Sequence, residues 1–255
     1  MEAQATRRLY LLDDHCFEAE AFIAAVRENS VAFDQTCFYP GGGGQPPDEG
    51  SAIVGGEVLE IVSAHADPDE IIWHITQSPP PANILGQPAK LILNRERRLA
   101  LMRYHTALHV LNTIALRDYG GWITGAQMTV EYSRIDFKLE GFSAALCAEL
   151  ENKVNGVLAK NHALKSYYIT EEEFRDRDEL IRTLEAKPPV LHGQVRVVEI
   201  EGFEAQACGG THVKTTSEVG RFSIFRTENK GKINKRLYVR LDQASPPVLS
   251  NNPGD

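Results

Sequence analysis

Four cysteines in 255 residues, Cys16, Cys37, Cys147 and Cys208, are too few and too scattered for a disulfide framework. No apolar run approaches the roughly 18 residues a membrane span needs, and the Arg pair near the start is followed by no apolar signal stretch. These absences predict reduced thiols, a cytoplasmic location and no membrane contact. A positive charge balance is missing too. The net charge of −8 argues against a protein that coats nucleic acid non-specifically, because phosphate binding relies on a basic surface. There is no internal repeat and no G-x-x-x-x-G-K-[ST] phosphate loop. Hydrophobic content of 42% and charged content of 24% are those of an ordinary globular chain, of a length that suits two domains.

The charge is unevenly spread. Residues 221–240 hold seven basic side chains (Arg221, Arg226, Lys230, Lys232, Lys235, Arg236 and Arg240) against the single acid Glu228. Residues 95–103 hold Arg95, Arg97, Arg98 and Arg103 against Glu96. By itself a charge run is a solvated face.

Hydrophobic patterning changes along the chain. Residues 1–90 read as short strands at 8–12, 18–26, 30–39, 51–62 and 71–75, separated by Gly, Pro, Asp and Asn clusters, which suggests a small β-barrel or sandwich. The proline-rich stretch 78–88 cannot be helical and reads as a connection. A helix is predicted from an Asn94 cap to Tyr119-Gly-Gly121, with Leu99, Met102, Leu108, Leu111 and Ala115 at steps of three and four. A second helix is predicted over 143–161 and an acidic one from Glu171, among strands near 122–139, 164–169, 195–200, 219–227 and 235–241. The expected fold is α+β: an N-terminal small β-barrel domain over 1–90, a zinc-binding α+β domain over 91–244 and a flexible tail over 245–255.

Two motifs carry chemistry. His105 and His109 lie four apart on the predicted helix, so both imidazoles project from one face. Cys208-Gly-Gly-Thr-His212 places a thiol and an imidazole four apart across two glycines that allow a tight turn. Two His from a helix with a Cys and a His from a loop make a mixed nitrogen and sulfur set, which suits one Zn2+ better than Mg2+ or Ca2+. A zinc peptidase is disfavoured, because His105-Thr-Ala-Leu-His109 lacks the glutamate base of H-E-x-x-H.

Arg103-Tyr-His-Thr-Ala-Leu-His-Val-Leu111, Arg134-Ile-Asp-Phe137 and Cys208-Gly-Gly-Thr-His-Val213 resemble the editing domain of alanyl-tRNA synthetases. Phe38-Tyr-Pro-Gly-Gly-Gly-Gly-Gln45 resembles the glycine-rich element that precedes that domain. The motifs occur in the family's order and cover roughly residues 30–241. With no synthetase catalytic module expected before them, the chain is similar to the freestanding AlaX trans-editing proteins of the intermediate type. The resemblance implies hydrolysis of the aminoacyl ester of mischarged tRNA(Ala), removing chiefly serine and sometimes glycine, with zinc on His105, His109, Cys208 and His212. It further implies a hydroxyl-reading role for Thr124, a polar positioning role for Gln127, and a specificity role for Gly42, Gly43, Gly44 and Gln45. Lys232, Lys235 and Arg236 are expected to contact tRNA phosphates. Four protein ligands would close a zinc site, whereas catalytic zinc keeps one position open. One ligand is loose, the metal becomes five-coordinate, or zinc only orients substrate. A zinc-stabilised tRNA-binding module without catalysis is the competing expectation.

Overall fold

The computed structural model describes residues 4–140, 142–181, 190–231 and 234–242. Among these the chain is mainly β. It runs through β1 (Arg7–Arg8), β2 (Glu18–Arg27), β3 (Ser30–Phe33), β4 (Gln35–Thr36), β5 (Gly50–Val54), β6 (Glu57–Ala66), β7 (Ile72–Thr76) and β8 (Pro88–Leu93). A closed antiparallel barrel forms in the order β2-β3-β7-β6-β5-β8, with β8 pairing back onto β2. Alternation along β8 sends Ala89, Leu91 and Leu93 inward, where they pack with Phe33, Phe38 and Ile61.

Local chemistry corrects several sequence expectations in this region. Residues 8–12 are mostly a 3-10 turn, Leu9–Leu11. The expected strand 30–39 breaks at Asp34, whose carboxylate accepts from the Phe22 and Gln35 amides. The expected strand 51–62 is a hairpin, split by a turn at Gly55-Gly56 into β5 and β6. The proline-rich connection leads straight into β8, so the boundary expected at residue 90 falls inside a barrel strand. Pro88 opens that strand, a position where a missing N–H is tolerated.

The chain then enters α1 (Arg95–Tyr119). Asn94 caps it by accepting from the Arg97 amide, and Gly120 ends it in the left-handed conformation. There follow β9 (Trp122–Met128), β10 (Ser133–Lys138), α2 (Ala144–Leu158) capped by Ser143, β11 (Leu164–Thr170) and α3 (Glu171–Arg175). The remaining strands are β12 (Val190–Leu191), β13 (Gln194–Ile200), β14 (Glu204–Ala207), β15 (Phe222–Asn229) and β16 (Asn234–Leu241). One sheet has the order β15-β16-β10-β9, and another is β11-β13-β12 with β14 also on β13. The first sheet turns Ile135, Phe137, Leu237 and Val239 onto Leu108, Leu111 and Ile114 of α1 and Leu150 and Val154 of α2. Because α1 is covered nearly all round, its polar side chains at 105, 109 and 112 sit in the interior. The residues of the expected tail, 245–255, lie outside the described residues.

Arg98 joins α1 to the barrel. Fully buried, it donates to both carboxylate oxygens of Asp48 and to the carbonyls of Cys37 and Asp14. Among the described residues no helix is long and apolar enough to cross a membrane.

Candidate metal centre and active site

One turn of α1 separates His105 from His109, and both rings emerge toward the loop after β14, which carries Cys208 and His212. The four potential ligand atoms lie within 4.8 Å of one another. Cys208 Sγ stands 3.4 Å from His105 Nε2 and 3.5 Å from His212 Nε2. With bonds of about 2.3 Å to sulfur and 2.0–2.1 Å to nitrogen, a tetrahedral zinc centre holds its S and N ligands about 3.5 Å apart. The residues present therefore fit a zinc ion in donor type, spacing and burial.

Each histidine is oriented by a group behind it. Gln45 Oε1 accepts from His105 Nδ1 at 2.8 Å and from the Thr211 amide at 3.1 Å, while Gln45 Nε2 donates to Thr211 Oγ1 at 2.8 Å. His212 Nδ1 lies 3.1 Å from Thr106 Oγ1. His109 Nδ1 faces Glu204 Oε1 at 3.6 Å, a charge contact longer than a hydrogen bond. With Nδ1 engaged on the outer side, the rings of His105 and His212 turn Nε2 toward Cys208 Sγ, as outer partners of metal-binding histidines do. Arg196 fixes the loop itself, donating to the carbonyls of Cys208 and Gly210 and pairing with Asp14 through bonds of 3.0 Å.

Electrostatics match this geometry. Burial opposes ionisation of Cys208, but His105 and His109 beside it hold the thiol well below its ordinary pKa. Burial alone would lower the pKa of His109, yet Cys208 and Glu204 raise it to about 9. Burial pushes His212 well down, leaving the neutral imidazole that ligates metals. A thiolate facing an imidazolium is a cluster in which a cation can take the place of the proton.

Glycine at 210 is needed for space rather than for its dihedral. A Cβ there would stand 2.2 Å from His105 Cε1, while Gly210 is not among the positive-φ glycines. The expected tight turn occurs instead in the glycine-rich element, where Gly42 and Gln45 exchange backbone hydrogen bonds across Gly43 and Gly44 at φ of 59° and 88°. Gly44 docks on the edge of β9, its carbonyl accepting from the Met128 amide at 2.9 Å.

A cavity of about 730 Å3 opens between this loop, α1, β9 and the Cys208 loop. Its wall includes Gly42, Gly43 and Gly44, His105, His109, Cys208 and Thr124. Gln45 lies buried beneath the wall on His105, a place its sequence motif did not foretell. Gln127 is exposed and does not line the cavity, because strand alternation pairs it with Arg134 on the opposite face of the sheet. Lys235 reaches Asn229 and the Gly231 carbonyl, and Arg236 makes a paired contact with Asp136 at 2.6 and 2.7 Å. Lys232 lies outside the described residues. Sequence reasoning missed Asn112 and Gln206, which line the cavity, together with Glu204, Thr106 and Arg196 behind the centre. The spacing of Asn112, one turn beyond His109, was a signal for the first. The others carried none.

A family profile described as "Threonyl and Alanyl tRNA synthetase second additional domain" matches residues 195–238, a stretch that includes Cys208 and His212. Alanyl-tRNA editing protein AlaX-M of Methanosarcina mazei is 36% identical over 247 residues, covering 94% of this chain and 98% of that protein. The AlaX-M protein of Saccharolobus solfataricus is 35% identical over 240 residues, covering 92% of this chain and 99% of that protein. An alanine-tRNA ligase of Korarchaeum cryptofilum is 37% identical over 226 residues, which are 87% of this chain but 24% of the ligase. Near-complete coverage in both directions, at this identity, shows that the chain belongs to the AlaX-M family of alanyl-tRNA editing proteins.

Proposed function

We propose that this protein is an aminoacyl-tRNA deacylase that removes serine, and to a lesser degree glycine, from mischarged tRNA(Ala) in a zinc-dependent reaction. The observation that carries the reading is the coincidence of a four-ligand metal centre with the wall of a cavity large enough for an aminoacyl-ribose terminus. The reaction is attack of water on the ester carbonyl, which frees the amino acid and the ribose hydroxyl. A bound zinc ion would supply positive charge that polarises or orients the ester.

The chain's own residues supply position and selectivity. Thr124 offers a hydroxyl to pair with the serine hydroxyl, and an alanyl group would leave it unpaired. Asn112 is almost fully buried in the wall, and its Oδ1 has no hydrogen-bond partner among the described residues. Gly42, Gly43 and Gly44 close one side of the cavity with backbone alone, which limits the size of the group admitted. Gln45 acts behind the centre by orienting His105. Gln127, on the far face of β9, is given no part in the pocket.

A metal-stabilised RNA-binding module without catalysis is the second reading, favoured by the completeness of the four-ligand set. The two separate when seryl-, glycyl- and alanyl-tRNA(Ala) are incubated side by side with the protein. A deacylase releases serine fastest and spares alanine. Release of no amino acid from any of the three would leave only the binding module.

A further inference from the structure

The outer face of the β15-β16-β10-β9 sheet carries a feature that the metal centre does not use. Tyr132, Phe225 and Tyr238 form a triangle of rings with centroids 6.1 to 6.2 Å apart. The Arg226 guanidinium lies 4.9 Å over Tyr238, and that of Arg240 lies 4.5 Å over Phe225. A bulge between Ile224 and Arg226 interrupts the strand alternation at Phe225, and the Phe225 ring meets the outer-face ring of Tyr238 while remaining 44% exposed. Tyr132 is held in the β9 to β10 turn by Thr129, whose Oγ1 accepts from the Tyr132 amide at 3.0 Å and donates to its carbonyl at 2.7 Å. Arg226 is engaged by Glu228, and Arg236 by Asp136. Arg134, opposite Tyr238 in register, and Arg240 have no carboxylate partner among the described residues.

We propose that this face is a stacking platform for unpaired nucleotides of RNA, which on the deacylase reading above are those of the single-stranded 3′ end of the tRNA. Rings on a sheet surface offer π-faces to any base, and guanidinium groups beside them stack or meet phosphates. The position agrees. The platform lies on the same sheet face as Gln127 and is reached around the β9 edge, where Gly125 lines the cavity and leads in register through Asp136 to Arg236, two residues short of Tyr238. Strand rise and spacing put the Tyr238 backbone about 12 Å from the Gly125 position along the sheet, a distance that a short unpaired stretch spans. Charge agrees as well. A chain of net charge −8 gains little from its overall field on RNA, whereas stacking does not depend on that field.

The test compares binding of the full chain to two RNA hairpins that share one stem, one with a four-nucleotide 3′ overhang and one blunt, over a series of salt concentrations. Phe225→Ala and Tyr132→Ala are each expected to weaken binding of the overhang hairpin by about 5- to 100-fold, with the blunt hairpin and the salt slope unchanged. Phe225→Trp is expected to restore binding, which separates stacking from damage to the fold. Equal losses on both hairpins, or no loss, would overturn the platform. So would a change in oligomeric state by light scattering with RNA binding intact, since the face would then join two copies. If the wild type prefers the overhang yet releases no amino acid from any charged tRNA, the platform stands and the deacylase reading falls.

Discussion

Gln45 shows how one side chain ties the glycine-rich element to the metal centre. Its carbonyl oxygen fixes the His105 ring, so Gln45→Leu is expected to lower zinc affinity by about 10- to 100-fold, read by competition with a chromophoric chelator, while the melting transition of the barrel changes little. Unchanged affinity would assign Gln45 to packing alone. Thr124 makes a separate prediction. Thr124→Val keeps the shape of the pocket and removes the hydroxyl, so release of serine from seryl-tRNA(Ala) is expected to fall by about tenfold or more. If serine release and alanine sparing both persist, the hydroxyl is read elsewhere. At this scale the ligands were legible because each pair sits four residues apart in one local element. The groups that orient them were not: Gln45 lies 60 residues from His105, and Thr106 lies 106 from His212. No local pattern encodes such pairings, which exist only after the glycine-rich loop and the Cys208 loop dock on α1.

Among the elements, two glycine-bearing loops pack with almost no clearance, Gly44 against β9 and Gly210 against α1. At Gly44 an added Cβ would stand 2.6 Å from the Ala126 carbonyl oxygen, in a backbone conformation of positive φ. Gly44→Ala is therefore expected to lift the loop from β9 and reduce kcat/KM for the seryl ester, with zinc affinity lowered by no more than Gln45→Leu lowers it. Gly210→Ala drives a methyl into His105 and is expected to lose both metal and activity. Equal behaviour of the two variants would contradict the separate roles given to these loops. The helices were the most legible elements, since Asn94, Ser143 and Gly120 mark their ends with capping chemistry. The β regions were less so. Glycine turns, bulges and strands of two residues depend on neighbours that a single sequence does not name.

For the molecule as a whole, the barrel encloses a titratable side chain that pH makes accessible to measurement. His74 is enclosed in the barrel, its Nδ1 donating to the Val31 carbonyl and its Nε2 accepting from Thr36 Oγ1. Burial lowers its pKa from 6.5 to about 4. Between those values the unfolded chain binds a proton that the folded chain refuses, so stability falls as the pH drops from 6.5 toward 4, by on the order of 3 kcal/mol at the lower end. Asp14 acts in the opposite sense, because burial, against the pull of Arg196, raises its carboxyl to about 6. The contribution of His74 is thus isolated by comparing urea unfolding of the wild type and His74→Gln at pH 5 and pH 7. The variant is expected to lose the part of the pH dependence due to His74, and an identical dependence in both proteins would show the imidazole to be protonated in place.

The most direct measurement is the rate of serine release from seryl-tRNA(Ala) by the full chain after metal removal with a chelator and after return of one equivalent of zinc. The metal centre at His105, His109, Cys208 and His212 predicts loss of release on removal and recovery near one zinc per chain, with alanyl-tRNA(Ala) spared throughout. Undiminished release by the metal-free, folded protein would contradict it.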